Sequence, residues 1–404
     1  MRFSPFFSLA FVFGAVFAQA QVPPTQKLAP SGTAHIDFVS PDVHADRTIT
    51  FMIDVPRAHD VAVHFRDTNY PMTKNEAGLW TVTIGPFDPE IYTFNYVVDG
   101  ADFYNVIDGA GLDNRIVEIP GNPPRYDEVQ NVPHGTVNLH TYTSKAQEGR
   151  ATHFRVYLPP QYFTEPARRF PVMYLFNGFD DIEWTDTGKA NVVLDNLIAE
   201  KKAVPMIVVM PFNRIHGENI AQLAPYAAHA KNGEERAGLA SSLDTIKVFE
   251  KELPDEIIPI VEKDYRVMAD RDHRAIAGLS FGGGTALGVS FRHLDMFGYV
   301  GEFATGTFGG TANPATGGYV GYGAFDPDNL TPNLYKKLTD PATKLKLFYM
   351  ACGQEDPRLP FQKTAYEEFK KQGVNPLVFE ALPGGHEYFF FRRAMANFAE
   401  LIFK

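Results

Sequence analysis

Between residues 35 and 125 apolar side chains recur at every second position. Ile49, Phe51, Ile53 and Val55 alternate with polar partners, and so do Val61, Val63 and Phe65. The same holds for Trp80, Val82 and Ile84, then for Tyr92, Phe94, Tyr96 and Val98. Alternation of this kind turns one face of each strand toward a core. Turn clusters separate the runs: Thr73-Lys74-Asn75-Glu76, Pro86-Phe87-Asp88-Pro89 and Asp99-Gly100. The pattern predicts a small antiparallel β-sandwich over 35–125. Trp80 and Tyr92 fall on alternating strand faces, which fits core residues better than a glycan platform.

Residues 118–135 carry Pro120, Pro123, Pro124 and Pro133 and read as a linker. Beyond them the period changes. Pro171–Phe176, Met206–Met210, Ala275–Ala277 and Leu345–Met350 are continuous apolar runs, as expected of buried, mostly parallel strands. A further strand is expected over Pro376–Leu382. Helical patterns fall at 188–202, 243–263, 282–292, 359–372 and 388–403. Alternating strands and helices predict one α/β domain over 126–404 with a central sheet.

The first twenty residues stand apart. One Arg, an apolar run from Phe6 to Phe17, then Ala18-Gln19-Ala20 is the layout of a secretory signal peptide. The expected product is secreted or periplasmic, with no membrane association once the signal is removed. The net charge is −11 and no run of Lys and Arg occurs, so a nucleic-acid partner is not expected. Cys352 is the only cysteine, which excludes an intrachain disulfide and a cysteine-based metal site.

The chemistry concentrates at three points of the second half. Gly278-Leu279-Ser280-Phe281-Gly282 follows a short strand and precedes a helical stretch. In that context G-x-S-x-G is a nucleophile elbow, which lifts the serine above the sheet edge. A serine hydroxyl needs a base within hydrogen-bond reach. Twelve histidines are present, and His386 alone sits on a glycine-flanked loop, Gly384-Gly385-His386-Glu387, after a late strand. His216 and His229 are second choices. A carboxylate must orient the histidine, and Cys352-Gly353-Gln354-Glu355-Asp356 offers two; Asp356 is favoured over Glu355 by its distance past the strand end. The order serine, acid, histidine is that of α/β-hydrolases. The oxyanion donors are expected to be the backbone N–H groups of Phe281 and of Phe179, the latter beside Gly178 after an early strand. No metal or cofactor is required.

With these residues in place, 130–404 resembles carbohydrate esterase family 1, the feruloyl and acetylxylan esterases related to esterase D. The resemblance runs through Val132-Pro133-His134-Gly135, Tyr174–Gly178, Asp195–Glu200, Arg274–Ser280, Cys352-Gly353 with Asp356, and Gly384–Glu387. Residues 35–125 are similar to the immunoglobulin-like, family 48 carbohydrate-binding module often found in front of such esterases, through Trp80-Thr81-Val82, Tyr92 and Val97–Gly100. The resemblance implies a Ser280–His386–Asp356 triad that removes feruloyl groups first, and acetyl groups second, from acylated plant polysaccharide or oligosaccharide such as cell-wall xylan. Siderophore esters, thioesters and other acylated sugars are substrates of neighbouring relatives, and a non-catalytic carbohydrate-binding protein is the rival from another class. Three departures stand out. Asn177-Gly178 replaces the usual His-Gly, Phe281 replaces the usual Met, and Ala101–Asn105 replaces the Asp-Pro pair of the front module. The first two are expected to line the acyl side of the site.

Overall fold

Strands apolar on both faces need cover on both, and helices of the second half supply it. The computed structural model describes residues 39–76, 78–103, 116–178, 184–213, 245–305 and 331–404. They fall into two compact units, with boundaries at Pro86/Phe87, Thr93/Phe94 and Arg115/Ile116.

The front unit is built from antiparallel strands. β1 (Asp42–Val43), β2 (Ile49–Asp54), β5 (Thr73–Lys74) and β6 (Leu79–Ile84) form one sheet in the order β1-β2-β6-β5. β3 (Val61–Phe65), β4 (Thr68–Pro71), β7 (Ile91–Val98) and β8 (Ala101–Phe103) form the other, in the order β4-β3-β7-β8. The alternation seen in sequence is realised: Ile49, Phe51, Ile53, Val61, Val63 and Phe65 are buried, with half-buried neighbours between them. Phe51 meets Phe94 edge-on at 4.8 Å across the two sheets. Trp80 is a core residue: it is 7% exposed and its Nε1 donates to the Val55 carbonyl.

The sequence pattern assigns 87–93 to the sandwich, whereas the structure groups Phe87–Thr93 with the second unit. Ile91–Thr93 pair there with β9 (Ile116–Glu118). The segment 118–135, expected to be a linker, has exposed prolines but buries Ile119, Asp127 and Glu128, and Asp127 is anchored for a physical reason. Arg392, with no solvent exposure, needs counter-charges, and it finds Asp127 Oδ2 at 2.8 Å and the Glu90 carboxylate. Its Nη1 also donates to the Thr187 carbonyl. Asn196 Nδ2 donates to the carbonyls of Tyr126 and Glu128, holding the same segment.

The second unit carries an eight-stranded sheet. In chain order its strands are β10 (Thr136–Ser144), β11 (Arg150–Leu158), β12 (Val172–Phe176), β13 (Ile207–Pro211), β14 (Arg274–Leu279), β15 (Tyr299–Phe303), β16 (Leu347–Gly353) and β17 (Leu377–Leu382). The spatial order is β10-β11-β13-β12-β14-β15-β16-β17. β10 and β11 are antiparallel, and β13 through β17 run parallel. One face is covered by α2 (Ala190–Ala199) and the final helix α7 (Tyr388–Leu401); the short α1 (Gln161–Thr164) lies before β12. The other face is covered by α3 (Ile258–Asp264), α4 (Ser280–Arg292), α5 (Leu334–Thr339) and α6 (Leu359–Lys371). Helical residues 245–252 lead into α3 through a π-turn at Leu253–Ile257. Pro254 lacks the N–H that an α-helix would use, and the wider turn accommodates it.

The strand order reverses at β12: β13 lies on one side of it and β14 on the other. Open parallel sheets form their ligand crevice beyond the carboxyl ends of the strands at such a point. That is where Asn177-Gly178 and Ser280 emerge.

Arg392→Met should leave Glu90 as a half-buried carboxylate without its guanidinium and the buried Asp127 with Arg125 alone. We expect a loss of about 3–5 kcal/mol in chemical denaturation. A loss below about 1 kcal/mol would mean that the carboxylates are neutral in the folded protein.

Candidate active site

β14 is buried along its whole length and ends at Leu279; α4 begins at the next residue. No room exists for a longer turn. A Cβ on Gly278 would lie 2.4 Å from the Gly282 carbonyl oxygen, and one on Gly282 would lie 2.1 Å from the Asn177 carbonyl oxygen. Real Cβ atoms do not approach so closely, so both flanking positions require glycine. Ser280 itself is held at φ 50°, in the left-handed region that β-carbon-bearing residues avoid. The strained turn aims its Oγ off the sheet edge.

His386 follows β17 and precedes α7. Its Nε2 lies 2.8 Å from Ser280 Oγ, and its Nδ1 lies 2.7 Å from Asp356 Oδ2. With the proton on Nδ1, the imidazole donates to Asp356 and accepts from the serine hydroxyl. The Phe391 ring stands edge-on to the imidazole at 5.0 Å. The loops carrying acid and base touch through backbone: a Cβ on Gly353 would meet the Gly384 carbonyl oxygen at 2.3 Å.

Of the two candidate acids, the structure brings Asp356 to the histidine and leaves Glu355 exposed. Asp356 is 2% exposed. Burial alone would raise its pKa. Hydrogen bonds from His386 and the Arg358 N–H, with the charge of Arg358, outweigh burial and hold it below the usual carboxylate range. Asp356 Oδ1 accepts from the Arg358 backbone N–H at 2.9 Å and from its Nη1 at 3.2 Å. Arg358 carries no motif signal in sequence, because only the fold turns it back onto the acid. Beside it, burial pushes the Cys352 thiol far up, so Cys352 stays protonated and inert.

Phe281 is the second residue of α4, which places its N–H at the helix N-terminus, where amides point outward and favour negative charge. Phe179 lies outside the described residues, as do His216 and His229. Asn177 is the exception to the sequence expectation. It does not line the site: it is fully buried, its Nδ2 donates to the Pro211 carbonyl, and its Oδ1 accepts from the Trp184 N–H. Asn213 Nδ2 donates to the Asn177 carbonyl, and Trp184 Nε1 donates to the Phe176 carbonyl. These bonds fix the carboxyl end of β12 on which Gly282 rests. Among the described residues no cluster of His, Cys, Asp and Glu could hold a metal ion.

Residues 144–325 match the family described as "Putative esterase". Over 379 residues, 90% of this chain, the sequence is 27% identical to an endo-1,4-beta-xylanase/feruloyl esterase of Xylanibacter ruminicola, and the match covers 46% of that protein. The chain spans about half the length of the curated relatives it matches. Among solved structures it is similar to a ferulic acid esterase, with 26% identity and a TM-score of 0.50 over 67% of this chain and 98% of that one. A CE1 ferulic acid esterase from the anaerobic fungus Anaeromyces mucronatus gives 22% identity and a TM-score of 0.54 over 69% of this chain and 94% of that one. The second unit has the α/β-hydrolase fold of these esterases.

Gly282→Ala should displace α4 from β12. We expect destabilisation of about 2 kcal/mol or more, because a backbone carbonyl cannot move aside as a side chain can. A variant with unchanged melting temperature would contradict the close approach.

Proposed function

We propose that the protein is an exported serine esterase that cleaves feruloyl esters, and secondarily acetyl esters, on plant cell-wall xylan. The observation that carries the reading is the unbroken relay from Ser280 Oγ through His386 to a sealed, ionised Asp356 at the carboxyl edge of the sheet. The Xylanibacter relative supports the choice of acyl group and polymer by its name. For export, the support is the layout of residues 1–20; among the described residues no helix is long and apolar enough to cross a membrane.

Ser280 Oγ attacks the ester carbonyl carbon and its proton passes to His386 Nε2. Asp356 stays anionic and stabilises the imidazolium through Nδ1–H. The N–H groups of Phe281 and Phe179 hold the oxyanion of the tetrahedral intermediate. As the intermediate collapses, the bond to the sugar oxygen breaks and that oxygen takes the proton from His386. A water then gives a proton to His386 and attacks the acyl carbon. The acyl–Oγ bond breaks, Oγ recovers the proton, and the free acid leaves.

Ser280→Ala should lower kcat on methyl ferulate by about 10⁴–10⁶, and Asp356→Asn by about 10⁴, with both variants folded. Only a neutral imidazole accepts from serine, so turnover by the parent should fall in acid. A Ser280→Ala variant with a tenth of the parent's turnover would sink the assignment. Faster release of acetate from acetylated xylan than of ferulate from arabinoxylan would reverse the substrate order.

A further inference from the structure

Beneath the triad lies a second carboxyl group that the reaction does not use. Glu302, on β15, is sealed from solvent, and so are Gln362 on α6 and Thr305 just past β15. Glu302 Oε2 accepts from the Thr305 N–H at 3.1 Å and from Gln362 Nε2 at 3.3 Å. Gln362 Nε2 also donates to the Thr305 carbonyl. The remaining oxygens of the two side chains, Glu302 Oε1 and Gln362 Oε1, are buried and accept no hydrogen bond among the described residues.

Two orphaned acceptors in one acid–amide pair have a common remedy. A proton on the carboxyl gives an O–H that the amide oxygen can accept, while the amide N–H donates to the carboxyl's other oxygen. A carboxylate would instead be a buried charge held by two neutral donors. We propose that Glu302 is a neutral carboxylic acid paired with Gln362, and that the pair is a positioning element which leaves Asp356 as the anion facing the catalytic imidazole.

The pair can position because of what it grips. It clamps the backbone N–H and carbonyl of Thr305, and a Cβ on Gly283 would lie 3.1 Å from Thr305 Cβ. The turn after β15 is thereby fixed against the first turn of α4, next to Ser280. Among the described residues, the ionisable groups facing Glu302 are Asp356 from the loop after β16, and Tyr349 and Cys352 from β16 itself. Arg358 and His386 are bonded to Asp356. Neither α4 between Phe281 and Phe291 nor β14 beyond Arg274 carries an ionisable side chain. Burial pushes the Glu302 carboxyl well above the usual range, outweighing the bonds from Thr305 and Gln362, and the charge of Asp356 adds to the push.

The test compares the full chain with Glu302→Gln, the isostere of the neutral acid, and Glu302→Leu. The infrared difference spectrum of parent minus Glu302→Gln at neutral pH should contain the carbonyl stretch of a protonated carboxyl group. Above the ordinary carboxyl range the folded parent keeps a proton that its unfolded chain has lost, so its stability falls as pH rises. Glu302→Gln lacks that slope and should gain on the parent from weakly acidic to neutral pH. The kinetic arm rests on the esterase reading. There the acid limb of kcat/KM should lie at the same pH in parent and Glu302→Gln, while Glu302→Leu should lose about 10–100-fold in kcat that Glu302→Gln largely recovers. Absence of the carboxyl band would overturn the proposal. So would an acid limb shifted down by about one unit in Glu302→Gln, the mark of a lost anion. A parent that turns over no ester would instead defeat the esterase reading and leave the spectroscopic and stability outcomes standing.

Discussion

The approach of α4 to the carboxyl end of β12 decides where every reacting group can stand. Gly282 lies against the Asn177 carbonyl and Gly278 against Gly282, with no side chain in between. Because the two backbones are this close, Ser280 has to take up its left-handed φ, and its hydroxyl has to leave the sheet edge in one direction. The strain at that residue, of the order of 1–3 kcal/mol, is sustained by the buried strands around it. The same device recurs between the acid and histidine loops, where Gly353 rests on Gly384. Separations of 2.8 and 2.7 Å along the relay follow from backbones in contact rather than from long side chains that must be ordered separately.

Two sealed charges of the second unit, Asp356 and Arg392, have their counterparts close by. Asp356 stays ionised without solvent because His386 and Arg358 donate to it. Two carboxylates meet the sealed Arg392 guanidinium. At Cys352 burial outweighs the pull of Arg358, and the group remains a thiol. In a medium of low effective dielectric one fixed anion on the far side of an imidazole stabilises its protonated form far more than it would in water.

Short-range features were legible in the sequence. The alternation of Ile49, Phe51 and Ile53 specified a half-buried strand. The buried runs around Val172 and Leu347 specified a parallel sheet. The elbow, the acid after β16 and the glycine-flanked histidine each sit within a few residues of a strand end, so local spacing pointed to three side chains that the fold brings within hydrogen-bond distance. β10 was not legible: it is an edge strand, mostly exposed, and its composition is polar. Pro120 to Pro133 looked like a linker because its prolines are exposed, while the residue that anchors it, Asp127, is held by Arg392, far along the chain. Asn177 reads as a site residue from its neighbours and turns inward in the fold. Arg358, and the pairing of Glu302 with Gln362, arise only when β15, β16 and α6 are side by side.

The bonds of Arg392 span 265 residues to Asp127 and 302 to Glu90. A chain made from its amino end therefore carries both carboxylates long before the Arg392 guanidinium exists, with Arg125 alone beside Asp127. The same late segment brings His386, six positions ahead of Arg392. The guanidinium that meets Glu90 and Asp127 and the imidazole that stands beside Ser280 thus arrive together, on one segment. Until that segment is made Ser280 has no imidazole beside it, so under the proposed esterase reading the hydroxyl stays unactivated through most of synthesis.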